Sequence, residues 1–179
     1  MAETGVQIDL HGVLSSAEER KEKYGTEPKM RLLMAKVFLH TADISGPTRD
    51  FKQAERMAMS VAEEFFFQGA QEKALQLRVS PFMDKDNPQV PKYQLNLIEF
   101  IVAPLVATVG QLFPELGRLK DNLATNSASW ALRWQEENSM SEPGWDGGGV
   151  EGAQKQVENI HRILGVEGVM AESGITSRY

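Results

Sequence analysis

The chain has 179 residues, of which 41% are hydrophobic and 25% charged, and this composition is typical of one globular domain. Its net charge of −6 gives no positive field that would attract nucleic acid or an anionic membrane, so neither is expected as a partner. The absence of cysteine excludes disulfides, zinc-thiolate sites and cysteine nucleophiles.

No targeting or membrane segment is expected. The N-terminus has neither a basic start nor an apolar core of the kind found in signal peptides. The longest apolar run, residues 95–109, is broken by Asn96, Glu99 and Pro104, which makes it too short and too interrupted to span a bilayer. Together with the lack of cysteine, these features favour a soluble cytoplasmic protein.

The first predicted helices cover residues 15–42. A polar helix begins at the paired serines Ser15 and Ser16 and should end near Gly25, so residues 1–27 form a loose lead-in with one polar helix. Pro28 opens the next helix, at a position where its missing N–H is not needed. Apolar residues lie on almost every side of this second helix, which predicts that it is buried.

The segment 39–48 ends the second helix with a Gly-Pro pair and places His40 and Asp43 three residues apart. Residues i and i+3 share a helix face, so the two side chains should point the same way. A histidine and an aspartate together can bind a metal ion or relay a proton. The alternative is that both cap the helix end, and caps are far commoner than metal sites.

A longer helix follows, with Asp50 and Gln53 spaced as in a capping box. Its apolar residues recur at intervals of three and four, and Gly69 is a suitable terminator. Residues 79–90 are rich in proline, aspartate and asparagine, which predicts an ordered loop.

The next helix has Pro91 in its first turn, and Pro104 should kink it or end its first half. Gln94 heads an apolar stripe made of Leu97, Ile98, Ile101 and Leu105. Burying an unpaired amide costs about 1–3 kcal/mol, so Gln94 should have a specific partner. That partner is either the backbone of the neighbouring loop or a ligand edge that offers one donor and one acceptor.

The last helices are less regular. A helix from Phe113 to about Glu137 has its inward candidates at Leu116, Leu119, Leu123 and Trp130. Residues 138–152 form a Gly-rich linker, and 150–164 can form a short amphipathic helix. No strand pattern is present, so the fold is all-α, with a lead-in (1–27), a helical region (28–137) and an acidic tail (138–179).

Three segments, met in this order, resemble the class I 3′,5′-cyclic-nucleotide phosphodiesterases. They are residues 39–45, residues 54–69 with the run Glu-Glu-Phe-Phe-Phe-Gln-Gly, and residues 80–105 with Ser-Pro-Phe-Met-Asp, Gln94 and Pro104-Leu105. The likeness covers roughly residues 28–135. It implies a multi-helical catalytic domain with a deep pocket over two divalent ions, zinc and magnesium or manganese, which activate a hydroxide for in-line attack on cAMP or cGMP.

The resemblance also implies roles for particular residues. Asp43 matches an acidic metal ligand, which leaves His40 with a supporting or structural role. Gln94 matches the glutamine that bonds the purine edge, since an amide offers a donor and an acceptor together. The remaining substrate-binding positions are Ile44, Val61 and Phe65 in the base pocket, Phe82 in the loop that covers it, and Leu97.

The departures from the family pattern are as informative. Leu97 stands where the family usually has the phenylalanine that stacks on the base, so the aromatic face is lost. Gly46 replaces a common asparagine, and Ala54 and Ala58 are small where polar or aromatic residues often orient the glutamine.

The largest departure concerns the metal ligands. The family site needs an upstream His-Asp motif and a general-acid histidine, but His11, His40 and His161 stand in no such arrangement. One carboxylate cannot hold zinc, which needs three or four protein ligands. The chain therefore looks like the second half of a catalytic domain, without catalytic residues of its own, and its partner would be the N-terminal half or another chain.

Three functions remain open at this stage. The first is a phosphodiesterase catalytic domain that is complete only with an upstream segment. The second is a degenerate, non-catalytic fragment that binds a partner or a nucleotide. The third is an unrelated helical interaction module. In the first two cases, apolar faces on helices 28–42, 50–69 and 91–112 would be partly exposed and would favour association.

Overall fold

The structure is a computed structural model that describes residues 22, 25, 27–139 and 148–166. Its helices are α1 (Pro28–Asp43), α2 (Phe51–Ala74), α3 (Val90–Leu97), α4 (Ala103–Leu112), α5 (Gly117–Ser139) and α6 (Gly148–Leu164). Short 3-10 turns lie at Gly46–Thr48 and Pro114–Leu116, and a π turn, Ile98–Val102, joins α3 to α4. No strand occurs in these ranges, so the all-α prediction is confirmed. The lead-in, its polar helix and residues 140–147 fall almost wholly outside the described residues.

The core lies where α3 and α4 pack against α5 and α6. Its fully buried apolar side chains include Leu95, Ile98, Val102, Val106, Leu123, Ala153, Val157, Ile160 and Leu164. The amphipathic helix predicted near the C-terminus is therefore confirmed and belongs to this core. It begins at Gly148, so the expectation that residues 148–152 belong to a linker is wrong. The division of the chain into three parts remains a prediction.

Helix α5 also follows its prediction in outline. Leu123 and Trp130 are buried, whereas Leu116 and Leu119 are only partly so. Trp130 packs edge-on against Phe51 at the start of α2, with ring centroids 5.3 Å apart. This contact brings the long helices α2 and α5 together.

The π turn explains why the predicted stripe beyond Gln94 is only partly correct. Pro104 cannot donate the backbone hydrogen bond that an α-helix requires, and the wider turn just before it accommodates this loss. Ile98 and Val102, at the two ends of this wider turn, both lie on the buried face, and the turn rotates Ile101 away from it. Ile101, predicted to face inward, is 51% exposed as a result.

The apolar run 95–109, expected to be too short to cross a bilayer, is part of a longer helix. This helix, Val90–Leu112, is continuous over 23 residues and contains an 18-residue window with a mean hydropathy of 1.7, so by length and composition alone it could span a membrane, as core helices of soluble proteins also can. In this structure it is the central helix of the core. The buried Glu99 on it accepts hydrogen bonds from Gln156 and Asn159 of α6.

Helix α1 is not buried on every side, contrary to the prediction from its composition. Met34 packs against Leu112 in a small separate cluster, whereas Leu32 and Leu39 are 58% and 72% exposed. Met30, Leu33 and Val37 also pack against this pair, so within the described residues it is Leu32 and Leu39 that are left largely uncovered. The alternative expectation, that this helix is partly exposed, matches the structure.

Helix α2 begins as predicted, because the Asp50 carboxylate accepts a hydrogen bond from the backbone N–H of Gln53 at 3.2 Å. It does not end at Gly69 but continues to Ala74. Gly69 instead permits close packing: a methyl group there would overlap the backbone carbonyl of Met83. The loop after α2 is thereby seated directly on the helix.

Candidate functional site

A cleft of about 190 Å³ lies between the end of α1, the first half of α2 and α3. It is lined by the predicted site residues Asp43, Ile44, Val61, Gln94 and Leu97, and by Gly46, Pro47, Ala54, Met57, Ala58 and Tyr93. The fold therefore brings residues that are up to 54 positions apart in sequence, from Asp43 to Leu97, into the lining of one cleft. The lining is mainly apolar with few polar groups, as in sites that bind a flat organic ligand.

The edge of the cleft beside Asp43 is fixed by two asparagines of α5. Asn126 is buried, and its Nδ2 donates to the carbonyls of Pro47 and Arg49, both at 2.7 Å. One turn earlier, Asn122 donates to the carbonyl of Thr48 at 2.9 Å. These bonds hold the turn after Asp43 against α5. Sequence reasoning missed this pair, although two asparagines at i and i+4 in a helix are a visible signal.

The structure gives His40 and Asp43 different surroundings. Asp43 lines the cleft, but both side chains are exposed and no hydrogen bond joins them. Neither side chain caps the helix within the described residues. The helix end is closed by backbone instead, since the N–H of Ile44 donates to the carbonyl of His40 at 3.2 Å. His40 has no direct part in the cleft.

The residues that the structure describes do not form a complete metal centre. The described part of the chain contains no group of three or more histidine, aspartate or glutamate side chains that could hold an ion. Asp43 is the one carboxylate among the residues that line the cleft. A zinc site needs three or four protein ligands, so Asp43 can supply only a fraction of one.

Gln94 is the most enclosed polar group of the cleft. It is 4% exposed, and its side-chain amide makes no hydrogen bond within the described residues. The loop backbone therefore does not satisfy it, which was one of the two alternatives. Its neighbour Asn96 differs, because it accepts a hydrogen bond from Gln156 at 2.8 Å. Of the two side-chain amides on α3, only that of Gln94 is free to hydrogen-bond a ligand.

Phe65 and Phe82 do not line the cleft but lie behind Tyr93, which does. The Tyr93 ring lies 5.5 Å from each of them, at interplanar angles of 76° to Phe65 and 51° to Phe82. Burial raises the pKa of Tyr93, so the phenol stays neutral at physiological pH. Sequence reasoning missed Tyr93, although it directly precedes Gln94.

The loop that carries Phe82 is tied to the end of α2 by charged groups. Lys73 Nζ lies 2.6 Å from carboxylate oxygens of both Asp84 and Asp86. Glu72 accepts hydrogen bonds from the N–H of Ser80 at 2.6 Å and from its hydroxyl at 2.9 Å. These contacts hold the loop against α2, and through Phe82 they support the Tyr93 ring.

Comparison with known proteins gives a consistent result. The family model for 3′,5′-cyclic nucleotide phosphodiesterases matches residues 7–123. The chain is 32% identical over 109 residues to 3′,5′-cyclic-AMP phosphodiesterase 4 of Dictyostelium discoideum, covering 61% of this chain and 10% of that protein. It is 35% identical over 104 residues to the high affinity cGMP-specific 3′,5′-cyclic phosphodiesterase 9A of Homo sapiens, covering 57% of this chain and 17% of that protein.

A solved structure, LmjPDEB1 in complex with IBMX, matches with a TM-score of 0.58 and 27% identity over 69% of this chain and 37% of that chain. The chain thus spans only a small part of the curated relatives and about a third of this structural neighbour. The family match begins upstream of the segments that carry the resemblance and includes His11, which lies outside the described residues. An unrelated helical module is excluded. The chain belongs to the 3′,5′-cyclic nucleotide phosphodiesterase family of hydrolases, a family that depends on divalent metal ions.

Proposed function

We propose that this chain forms the purine-binding part of a cyclic-nucleotide phosphodiesterase, with cAMP or cGMP as its ligand. The observation that carries the proposal is the side-chain amide of Gln94: the residue is 4% exposed, its amide opens onto the cleft, and it has no hydrogen-bond partner among the described residues. Because the amide atoms open onto the cleft, their donor and acceptor can be reached by a ligand. A purine edge that offers one donor and one acceptor would satisfy it.

Asp43 is proposed as one ligand of the divalent ions of the complete site, with zinc and magnesium or manganese as the ion pair. Its carboxylate lines the cleft and is exposed, so an ion bound there could also be held by ligand side chains from another polypeptide segment. Because the described residues offer no complete ligand set, hydrolysis requires histidines and carboxylates beyond them, from this polypeptide or from another chain. A cytoplasmic location remains part of the proposal.

The binding step can be tested with the purified 179-residue chain and isothermal titration with cAMP and cGMP. Gln94→Ala should weaken binding roughly tenfold, the effect of losing about two hydrogen bonds. Gln111→Ala is the matched control, since Gln111 is an exposed glutamine of α4 outside the cleft. Equal affinity of the wild-type chain and both variants would exclude Gln94 as the base reader.

Hydrolysis is tested separately. The purified chain should show no turnover of cAMP or cGMP above a metal-only control. Addition of a polypeptide that carries the His-Asp motifs of a family member should create activity. Turnover by the chain alone would show that its own residues complete the metal site.

A second candidate is a non-catalytic module that binds cyclic nucleotides. The single carboxylate at the cleft and the replacement of polar or aromatic groups by Gly46 and Leu97 favour it. It predicts nucleotide binding that is sensitive to Gln94→Ala but no activity in any complementation mixture. The two candidates therefore differ in the complementation result and agree on the binding result.

A further inference from the structure

The residues that line the cleft include one aromatic side chain, Tyr93. The rest of the lining is aliphatic apart from Met57, the carboxylate of Asp43 and the amide of Gln94. An aliphatic wall can contact a base, but only an aromatic ring offers a π-face on which a base can stack. Any stacking contact from this lining must therefore come from Tyr93.

Tyr93 also has the right neighbours on α3. It directly precedes Gln94, so the ring and the amide project from adjacent positions into one cleft. It stands four residues before Leu97, and residues at i and i+4 are neighbours on a helix face. The ring thus lies one turn from the leucine that offers only aliphatic contact.

The Tyr93 ring is held in place by other aromatic residues. Phe65 and Phe82 contact it from two different elements, α2 and the loop after it. Their interplanar angles of 76° and 51° show that neither ring lies parallel on Tyr93. Edge-on and tilted contacts of this kind fix the orientation of a ring without stacking on it. A ring fixed beforehand also loses little conformational entropy when a ligand binds.

We propose that Tyr93 is the base-stacking residue of this cleft, and that it supplies the aromatic surface that Leu97 does not. The ligand class is a purine 3′,5′-cyclic nucleotide, whose ring stacks on Tyr93 while Gln94 bonds its edge. Phe65 and Phe82 are then positioning residues that act through Tyr93. The inference rests on the proposed function, because it assigns the second contact of the same base.

Three variants of the full chain test the assignment by titration with cAMP and cGMP. Tyr93→Phe keeps the ring and should leave the affinity within about twofold of wild type. Tyr93→Leu should weaken binding roughly 5- to 100-fold, the range seen when an aromatic ring is removed from beneath a base. Phe100→Leu is the control, because Phe100 is 69% exposed and lies outside the cleft.

The double variant Tyr93→Leu/Leu97→Phe moves the ring by one turn and should recover part of the lost affinity. A direct readout accompanies it: the ring protons of the bound purine should shift upfield in NMR spectra of wild type and of Tyr93→Phe. This shift reports a stacked ring and would not arise from a purely structural role of Tyr93. It also decides the matter if Tyr93→Leu does not fold.

The outcomes distinguish a failure of the proposed nucleotide binding from a failure of the Tyr93 assignment alone. If the wild-type chain binds neither cAMP nor cGMP, the proposed function fails, and the role of Tyr93 fails with it. If the wild type binds, but Tyr93→Leu binds equally well or the bound purine shows no upfield shift, only the assignment of Tyr93 is overturned. Weaker binding by Phe100→Leu to the same degree as Tyr93→Leu would likewise overturn it.

Discussion

Asn126 donates a hydrogen bond of 2.7 Å to the carbonyl of Pro47, and this links the buried middle of α5 to the turn that follows Asp43. The same amide nitrogen also reaches the carbonyl of Arg49 at 2.7 Å. One side chain of α5 thus satisfies two carbonyls of the turn, in addition to the turn's own bonds such as Thr48 N–H to the Ser45 carbonyl. The position of Asp43 at the cleft depends on this connection.

Asn126→Ala should therefore destabilise the protein. The substitution leaves the Pro47 and Arg49 carbonyls without their donor, which costs roughly 1–3 kcal/mol when such groups are buried. Urea denaturation should show a lower midpoint. Thr125→Ala is a suitable control, because the exposed Thr125 hydroxyl bonds only within its own helix, to the carbonyl of Asp121. Similar midpoints for the two variants would show that the turn is held by other contacts.

Gly69→Ala should destabilise the protein even though alanine is the better helix former. A methyl group at Gly69 would overlap the Met83 carbonyl, and overpacking of this kind typically costs about 1–3 kcal/mol. Gly152→Ala provides the matched control, since Gly152 is also helical and a methyl group there meets nothing within 4 Å.

The control should be stabilised by a few tenths to about 1 kcal/mol, because alanine exceeds glycine in helix propensity by that amount. The two Gly→Ala changes thus have opposite predicted signs in one denaturation series. A gain in stability from Gly69→Ala would mean that the loop after α2 can move away from the helix at little cost.

The loop after α2 should loosen in acid. Hydrogen bonds from Gln68 and then from Ser80 lower the pKa of Glu72 below its usual 4.5, and Lys73 lowers the pKa of Asp84 below its usual 3.8. Carboxyl groups with lowered folded-state pKa values stabilise the folded loop fully above the usual values. This stabilisation is lost as the pH falls through the lowered values, when the carboxylates become protonated.

An NMR titration can follow this loss. The amide proton of Ser80 donates to Glu72, so its chemical shift should move with an apparent pKa below 4.5. In Glu72→Gln the carboxylate is absent, and the same resonance should not titrate in that range. An apparent pKa at or above 4.5 in the wild-type chain would show that the Ser80 contact does not persist in solution.

The exposed apolar side of α1 should make the isolated chain associate. Leu39 and Leu32 are 72% and 58% exposed, and contiguous apolar surface of this kind drives association. Leu39→Glu should lower the apparent mass in light scattering. Leu132→Glu, at an exposed apolar site on α5, should have a smaller effect. A monomeric wild-type chain with a sharp, cooperative thermal transition would argue against this prediction.

Several features of the fold could be predicted because local chemistry determines them. Pro28 and Pro91 mark helix starts, and the Asp50 side chain caps α2, since these effects act within one turn of the chain. The cleft residues Asp43 and Gln94 could be predicted because they match the family pattern in three ordered segments of the sequence.

Other features depend on contacts between distant segments and could not be read locally. Gly69 has the properties of a helix terminator, but its role is set by Met83 in the following loop. The exposure of Leu39 depends on which neighbours cover α1. Nothing in the sequence around Tyr93 marks it as a site residue. Its place in the cleft becomes visible only when α2, α3 and the loop between them are packed together.

The π turn also fixes a phase relationship along the central helix. The same continuous segment, Val90–Leu112, turns Gln94 towards the cleft at one end and Val106 towards α5 and α6 at the other. If the same five residues were wound as an ordinary α-helix, the two ends would be rotated relative to each other by about one residue, roughly 100°. With the core end held by its packing, Gln94 would leave the cleft. The π turn thus keeps Gln94 in the cleft although none of its own five residues lines the cleft.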